Sequence, residues 1–274
     1  PFGKDTMKLP ENFSFSQQNL QDYLTCRYRF LLKYIRNLAW PAVESEPVLL
    51  QEARMELGQQ FHRMVQQYFA GIDQNLLAST IQDEILTEWW LSFTSLNLIE
   101  FAGQKTAEKF LTIPFSNHRL IAKYDLLIEQ EGGKYTIYDW KTSQYLPSRP
   151  KLAKRMQTIV YPFVLHSTLS NLQETDTSSF SIEMVYWFTA HPSEPVRFTY
   201  SSTHAKEDQD FLAGIINQIC TNDEEWFTKT PEIDNCKFCR YRSLCERGIS
   251  AGQIAPDEDM LLDESAFDID FDSL

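Results

Sequence analysis

Asp125, Asp139 and Lys141 are the residues whose types and spacing best suit chemistry in this chain. Asp139-Trp140-Lys141 ends an alternating, strand-like run, Lys134 to Tyr138, and Asp125 lies on the preceding apolar run, Leu120 to Ile128. Fourteen positions separate the acids, which suits neighbouring places on two strands joined by the Gly132-Gly133 turn. Carboxylates so placed can hold a divalent cation. The lysine can orient an attacking water or meet the charge that develops on a phosphorane. An Asp-x-Lys tripeptide is unspecific when taken alone, because strand ends often carry a solvated acid and lysine.

Its companions carry more weight. Carboxylate oxygens suit Mg²⁺, and one imidazole makes a site friendlier to Mn²⁺. His62, on an upstream helical stretch, can supply that imidazole, although a lone histidine on an amphipathic helix more often sits at a core edge. Gln157 and Tyr161 stand four apart on a helix and share one face. They offer an amide, a stacking ring and a hydroxyl for a nucleic-acid strand. The plain alternative is a surface Gln beside a core Tyr.

Cys236, Cys239 and Cys245 crowd into ten residues near the end, and Cys26 stands near the start. Three thiolates in one short segment point to a metal or cluster, which Cys26 completes if the chain ends meet. Thiolate ligation suits zinc or an iron–sulfur cluster, but a zinc ribbon normally offers two paired Cys-x2-Cys knuckles and this chain has one. Cys220 reads as a small buried hydrophobe on a helix.

The elements that must position these residues follow from periodicity. Helices are expected at 16–38, with Ser14 or Ser16 as N-cap, at about 50–70, and at 74–98. Residues 109–115, 120–128 and 134–141 read as strands, then 151–170 as a helix that Pro162 should kink. Two further strands, 181–189 and 195–200, and a helix at 204–227 complete an α/β pattern: a mixed sheet covered on both faces.

Composition bounds the function class. The chain has 274 residues, 43% of them hydrophobic and 14% aromatic, enough for a substantial core. No apolar run reaches the ~20 residues that span a bilayer. The start, PFGKDTMKLP, carries no signal-peptide core, so a cytoplasmic location is expected, and thiols there stay reduced. The net charge of −13 is uneven: residues 256–274 hold eight acids and no Lys or Arg. The 25 basic and 30 acidic side chains before them leave −5, which permits a local basic groove. The expected division is an extension at 1–13, one domain at 14–250 and an acidic, disordered tail at 251–274.

Together these residues resemble the RecB-type branch of the PD-(D/E)xK nuclease superfamily. The likeness is greatest to its iron–sulfur members, the AddB nuclease domain and the CRISPR-associated RecB-like exonucleases. Ser14, Ser16, Tyr23, Cys26, Phe30 and Tyr34 occupy the family's opening helix pattern, with Arg27 in place of its proline. Gly58 to His62 matches the Gly-x-x-x-His step, Ala122 to Asp125 the Gly-x-x-Asp step without its glycine, Asp139 to Thr142 the (D/E)xK-Thr step, and Gln157 to Tyr161 the Gln-x-x-x-Tyr step. The resemblance spans residues 14–245.

It implies a restriction-endonuclease-like fold and Mg²⁺- or Mn²⁺-dependent cleavage of DNA at single strands or ends. A helicase, repair or CRISPR partner is implied with it. His62, Asp125, Asp139 and the carbonyl of Trp140 become the metal ligands, and Lys141 the residue that positions hydroxide. Gln157 and Tyr161 become the strand contacts, and Cys26, Cys236, Cys239 and Cys245 the ligands of a 4Fe–4S cluster that joins the chain ends. The alternative is a non-catalytic nucleic-acid-binding or scaffold protein that keeps the fold.

Overall fold

Three runs, β2 (Gln104–Phe115), β3 (His118–Gln130) and β4 (Lys134–Lys141), form an antiparallel meander in the computed structural model, which describes residues 9–40, 46–172 and 180–248. Ser116, Asn117, Gly132 and Gly133 all have positive φ, the backbone that tight reversals between right-twisted strands require. β5 (Ser181–Phe188) adds parallel to β4 and β6 (Val196–Tyr200) antiparallel to β5. β1 (Ser14–Ser16), too short to show in the sequence pattern, pairs parallel with β3. A six-stranded mixed sheet results.

β3 is the strand on which this sheet forks. β2 follows one edge along its length. The other edge is divided: β1 pairs with Arg119–Ile121, β4 pairs with Leu126–Gln130, and residues 122–125 pair with neither. In that interval Asp125 takes its contacts from His62 and from the Trp140 N–H.

Helices cover both faces, as expected of an α/β domain of the restriction-endonuclease type. On one face α3 (Glu46–Phe69), α4 (Gln74–Ser79) and α5 (Glu84–Thr94) bring Phe61, Val65, Trp90 and Phe93 against Leu126, Trp140 and Trp187. On the other, α1 (Gln17–Thr25), α7 (Met156–Leu172) and α8 (Ser202–Thr221) set Leu20, Val160, Val164 and Leu212 against Ile137, Met184 and Tyr186. The short α6 (Arg149–Ala153) precedes α7. Strand alternation makes this division: Trp140 enters the first core, while Asp139 and Lys141 point to the α7 side. No helix among the described residues is long and apolar enough to cross a membrane.

Several helices depart from their sequence outlines. Ser16 caps α1, accepting from the Asn19 N–H while the Asn19 side chain accepts from the Ser16 N–H, a capping box. The run expected to continue to residue 38 breaks at Cys26, whose φ of −160° is extended. It resumes as α2 (Arg27–Phe30) and a π-turn, Leu31–Ile35. Tertiary bonding causes the break: the Tyr28 N–H donates to the Thr228 carbonyl at 3.1 Å, and Asn235 Nδ2 donates to the Thr25 carbonyl at 3.3 Å. The 74–98 stretch divides at Asp83, whose carboxylate caps the Ile85 and Leu86 N–H groups. α8 ends at Thr221, short of the expected 227.

Pro162 lies inside α7 without ending it, although its ring removes the N–H that would reach the Thr158 carbonyl. Beside it the Tyr124 hydroxyl donates to the Tyr161 carbonyl at 3.0 Å. Residues 1–8 of the extension and the tail at 251–274 fall outside the described residues.

Trp187 is 1% exposed between α3, α5 and the sheet, with Trp140 and Phe61 rings about it. Trp187→Ala is expected to lower unfolding stability by about 3–5 kcal/mol in urea titrations, the usual cost of deleting a buried large aromatic.

Candidate metal and nucleic-acid site

The fork in β3 places Asp125. The β3–β4 ladder stops at Leu126↔Tyr138, so the Trp140 N–H has no strand partner on that side. It donates instead to Asp125 Oδ2 at 2.7 Å. The other oxygen, Oδ1, lies 3.3 Å from His62 Nδ1, which α3 carries in from the opposite layer. Asp125 therefore joins three elements that the backbone alone leaves apart: α3, β3 and the end of β4.

Asp139 and Lys141 stand next along β4. Lys141 Nζ is 3.0 Å from Asp139 Oδ2, with both side chains 3% exposed. Gln157 Nε2, from α7, donates to Asp139 Oδ1 at 2.6 Å. Tyr161 is buried one helical turn on, its ring edge against Tyr124 at 5.2 Å. The structure thus brings His62, Asp125, Asp139, Trp140, Lys141, Gln157 and Tyr161 together. Gln157 spends its amide on holding a carboxylate, and no sequence pattern showed that.

Burial and charge split the two aspartates. Burial, reinforced by Asp125, pushes the Asp139 carboxyl up to about 7 against the pull of Lys141. Burial also acts on Asp125, but His62, the Trp140 N–H and Lys141 outweigh it and hold that carboxyl below its usual range. Burial, with Asp139 and Asp125 nearby, keeps the Tyr161 phenol well above its normal value, so it remains a neutral hydroxyl.

Glu108 is the functional candidate that sequence reasoning missed. In register it lies on β2 opposite Asp125, between the pairs Ala107↔Leu126 and Lys109↔Tyr124. Its φ is +54°, in the left-handed region that a glutamate inside a strand rarely adopts. One ligand atom each from His62, Glu108 and Asp125 lies within 4.8 Å of the others. Asp139 stands beside that trio, its oxygens turned to Gln157 and Lys141. Oxygen and imidazole donors in this number fit a hard divalent cation.

The cysteines form a separate centre. Cys26, Cys236, Cys239 and Cys245 line one pocket together with Arg29, Lys229, Arg242 and Arg247. The extended break at Cys26 turns that thiol towards the C-terminal segment. Burial pushes the Cys239 thiol up to about 11 against Arg29, and raises Cys236 and Cys245 as well. Cys220 corrects the sequence reading: it is exposed in the last turn of α8, and its sulfur lies 3.3 Å from His118 Nε2.

A lysine held against a carboxylate at the fork of a mixed sheet, with a second acid and a histidine across the gap, marks a phosphodiester-cleaving class of fold. The chain belongs to the PD-(D/E)XK nuclease superfamily, whose profile matches residues 14–246. Among solved structures it is similar to SSO0001, at 13% identity over 87% of each chain with a TM-score of 0.44. It is also similar to a candidate exonuclease from Eubacterium rectale, at 9% identity over 74% of this chain and 79% of that one, TM-score 0.47. No curated protein matches.

A cation held by Asp139 would compete with a proton for its raised carboxyl. Mn²⁺ affinity by calorimetry is expected to fall as pH drops below about 7, with release of up to one proton per site. In Asp139→Asn the affinity is expected to be weaker and its pH dependence through that range flatter.

Proposed function

We propose that this chain is a divalent-metal-dependent nuclease that hydrolyses phosphodiester bonds in DNA, acting on single strands or ends. The observation that carries the reading is the buried Asp139–Lys141 pair beside the Asp125 carboxylate that fastens Trp140. A nuclease site needs a cation-binding face and a fixed positive group next to it, and those contacts hold the two together.

His62, Asp125, Asp139 and the Trp140 carbonyl are the residues that would hold Mg²⁺ or Mn²⁺. The cation supplies Lewis acidity at the phosphate and a more acidic water. The protein supplies position. Lys141 keeps its ammonium where it can hold an attacking hydroxide and neutralise charge that develops on phosphorus. Gln157 fixes the rotamer of Asp139. The Tyr161 hydroxyl, un-ionised, adds a donor on the α7 side. Repair, recombination or CRISPR-type processing, alongside a helicase or repair partner, is the setting this activity fits.

For the thiols we propose a 4Fe–4S cluster on Cys26, Cys236, Cys239 and Cys245. The chain offers one Cys-x2-Cys knuckle where a zinc ribbon normally offers two, and that favours a cluster over a zinc ribbon. The arginines and lysine in the pocket wall offset the negative charge that four thiolates bring.

Lys141→Met is expected to lower kcat for cleavage of end-labelled single-stranded DNA by at least about 10²-fold. Mn²⁺ binding by calorimetry at pH 8 should persist in that variant. Retained cleavage would refute the mechanism. Anaerobically purified protein is expected to contain about four irons per chain and to absorb in the visible, and Cys26→Ser to lose both. One zinc per chain and no iron would replace the cluster with a zinc site.

A further inference from the structure

Side-chain exposure around the site rises in one direction. Asp139 and Lys141 are 3% exposed, His62 8%, Asp125 16%, Glu108 19% and Lys123 34%. The buried pair therefore forms the floor, and the mouth lies between β2 and β3, where Glu108 and Lys123 are in direct ion-pair contact. Lys123, the more exposed of the two, stands on the solvent side of that contact, and Lys141 lies at the buried end.

Glu108 has two partners within reach and one charge to share. Its carboxylate pairs with Lys123, and a ligand oxygen also lies within 4.8 Å of the His62 and Asp125 donors. Its left-handed backbone turns it out of ordinary strand alternation at the position opposite Asp125. For a non-glycine residue such a conformation costs of order 1–3 kcal/mol and persists only when its surroundings impose it. Lys123, once parted from Glu108, is a half-exposed cation on a flexible stem at the entrance to an anion-cleaving site.

We propose that the Glu108–Lys123 pair is an exchange device at the mouth of the site: Glu108 leaves Lys123 to become an additional ligand of the divalent cation, and the released Lys123 takes a backbone phosphate of the substrate. This rests on the metal-nuclease reading above. The device couples the two binding events. The cation removes the anion that neutralises Lys123, so the strand binds better once the metal is in place. In the metal-free protein the same contact leaves the mouth without a net cation and discourages unproductive binding.

The test uses the full chain, a labelled single-stranded oligodeoxynucleotide, and Ca²⁺ as a cation that supports binding without rapid cleavage. Wild-type protein is expected to bind the oligonucleotide several-fold more tightly with Ca²⁺ than with EDTA. Glu108→Gln is expected to bind it tightly already in EDTA, to gain little from Ca²⁺, and to bind Mn²⁺ about 10-fold more weakly in calorimetry, as loss of one metal-site partner typically costs. Lys123→Met should leave Mn²⁺ affinity within about twofold and abolish the Ca²⁺-dependent gain. Its log K against log salt slope should flatten by about 0.7, the loss of one phosphate contact on a single strand.

Glu108→Asn, which suits left-handed backbone better, should reproduce the Glu108→Gln metal defect with undiminished thermal stability, separating ligand loss from misfolding. Unchanged Mn²⁺ affinity in both Glu108 variants, or an unchanged salt slope in Lys123→Met, overturns this inference while wild-type metal and oligonucleotide binding leaves the nuclease reading standing. A wild-type chain that binds neither Mn²⁺ nor the oligonucleotide overturns both.

Discussion

The hydrogen bond from the Trp140 N–H to the Asp125 carboxylate is the contact on which the rest of the site depends. It exists because β4 stops pairing with β3 one residue too early to satisfy that amide. A strand end would ordinarily give such an N–H to water. Here a carboxylate takes it, and the same carboxylate faces His62 across the sheet. Removing it orphans a backbone donor and separates the α3 layer from the α7 layer at the place where both must contribute. The chemistry and the fold thus share one contact, and Asp125 cannot be varied for one without disturbing the other.

The α7 side has a complementary role. Gln157 and Lys141 occupy the two oxygens of Asp139 and hold that carboxylate in one orientation. Such pre-organisation spares the reorganisation that a flexible carboxylate needs during reaction. It is reinforced by the deep burial that lifts the Asp139 carboxyl to about 7 while Asp125 stays ionised. Two like groups in one pocket are driven to different proton affinities by what touches them.

Much of this was legible in the sequence, for identifiable reasons. Asp139 and Lys141 stand two apart at the end of an alternating run, and a strand's period of two fixes their common face. His62, Gln157 and Tyr161 were legible through family order, since a lone histidine or glutamine carries no local mark. The meander showed through its turn residues, Ser116-Asn117 and Gly132-Gly133. Glu108 did not show. A glutamate within a strand reads as a solvated position, and only its φ and its register against Asp125 reveal otherwise. The break at Cys26 was hidden as well. Neither proline nor glycine marks it, and the bonds that impose it come from Thr228 and Asn235, some two hundred positions away. Cys220 misled because a cysteine on an amphipathic helix is usually buried, whereas this one is exposed in the last turn of the helix, beside the buried Ile219.

The meeting of residues 25–28 with residues 228–245 also matters to the chain as a polymer. The Asn235 to Thr25 contact spans 210 positions, so the segments that carry the four cysteines close nearly the whole domain into a ring. Hydrogen bonds alone hold that ring only while the domain is folded. A covalent or coordinate link at the same place would persist in the unfolded chain and remove about 5 kcal/mol of its conformational freedom, by the chain-entropy relation for a loop of that length. A cluster in the thiol pocket, as proposed above, would then act on the stability of the whole loop from Thr25 to Asn235, the stretch of chain that carries His62, Asp125, Asp139 and Lys141.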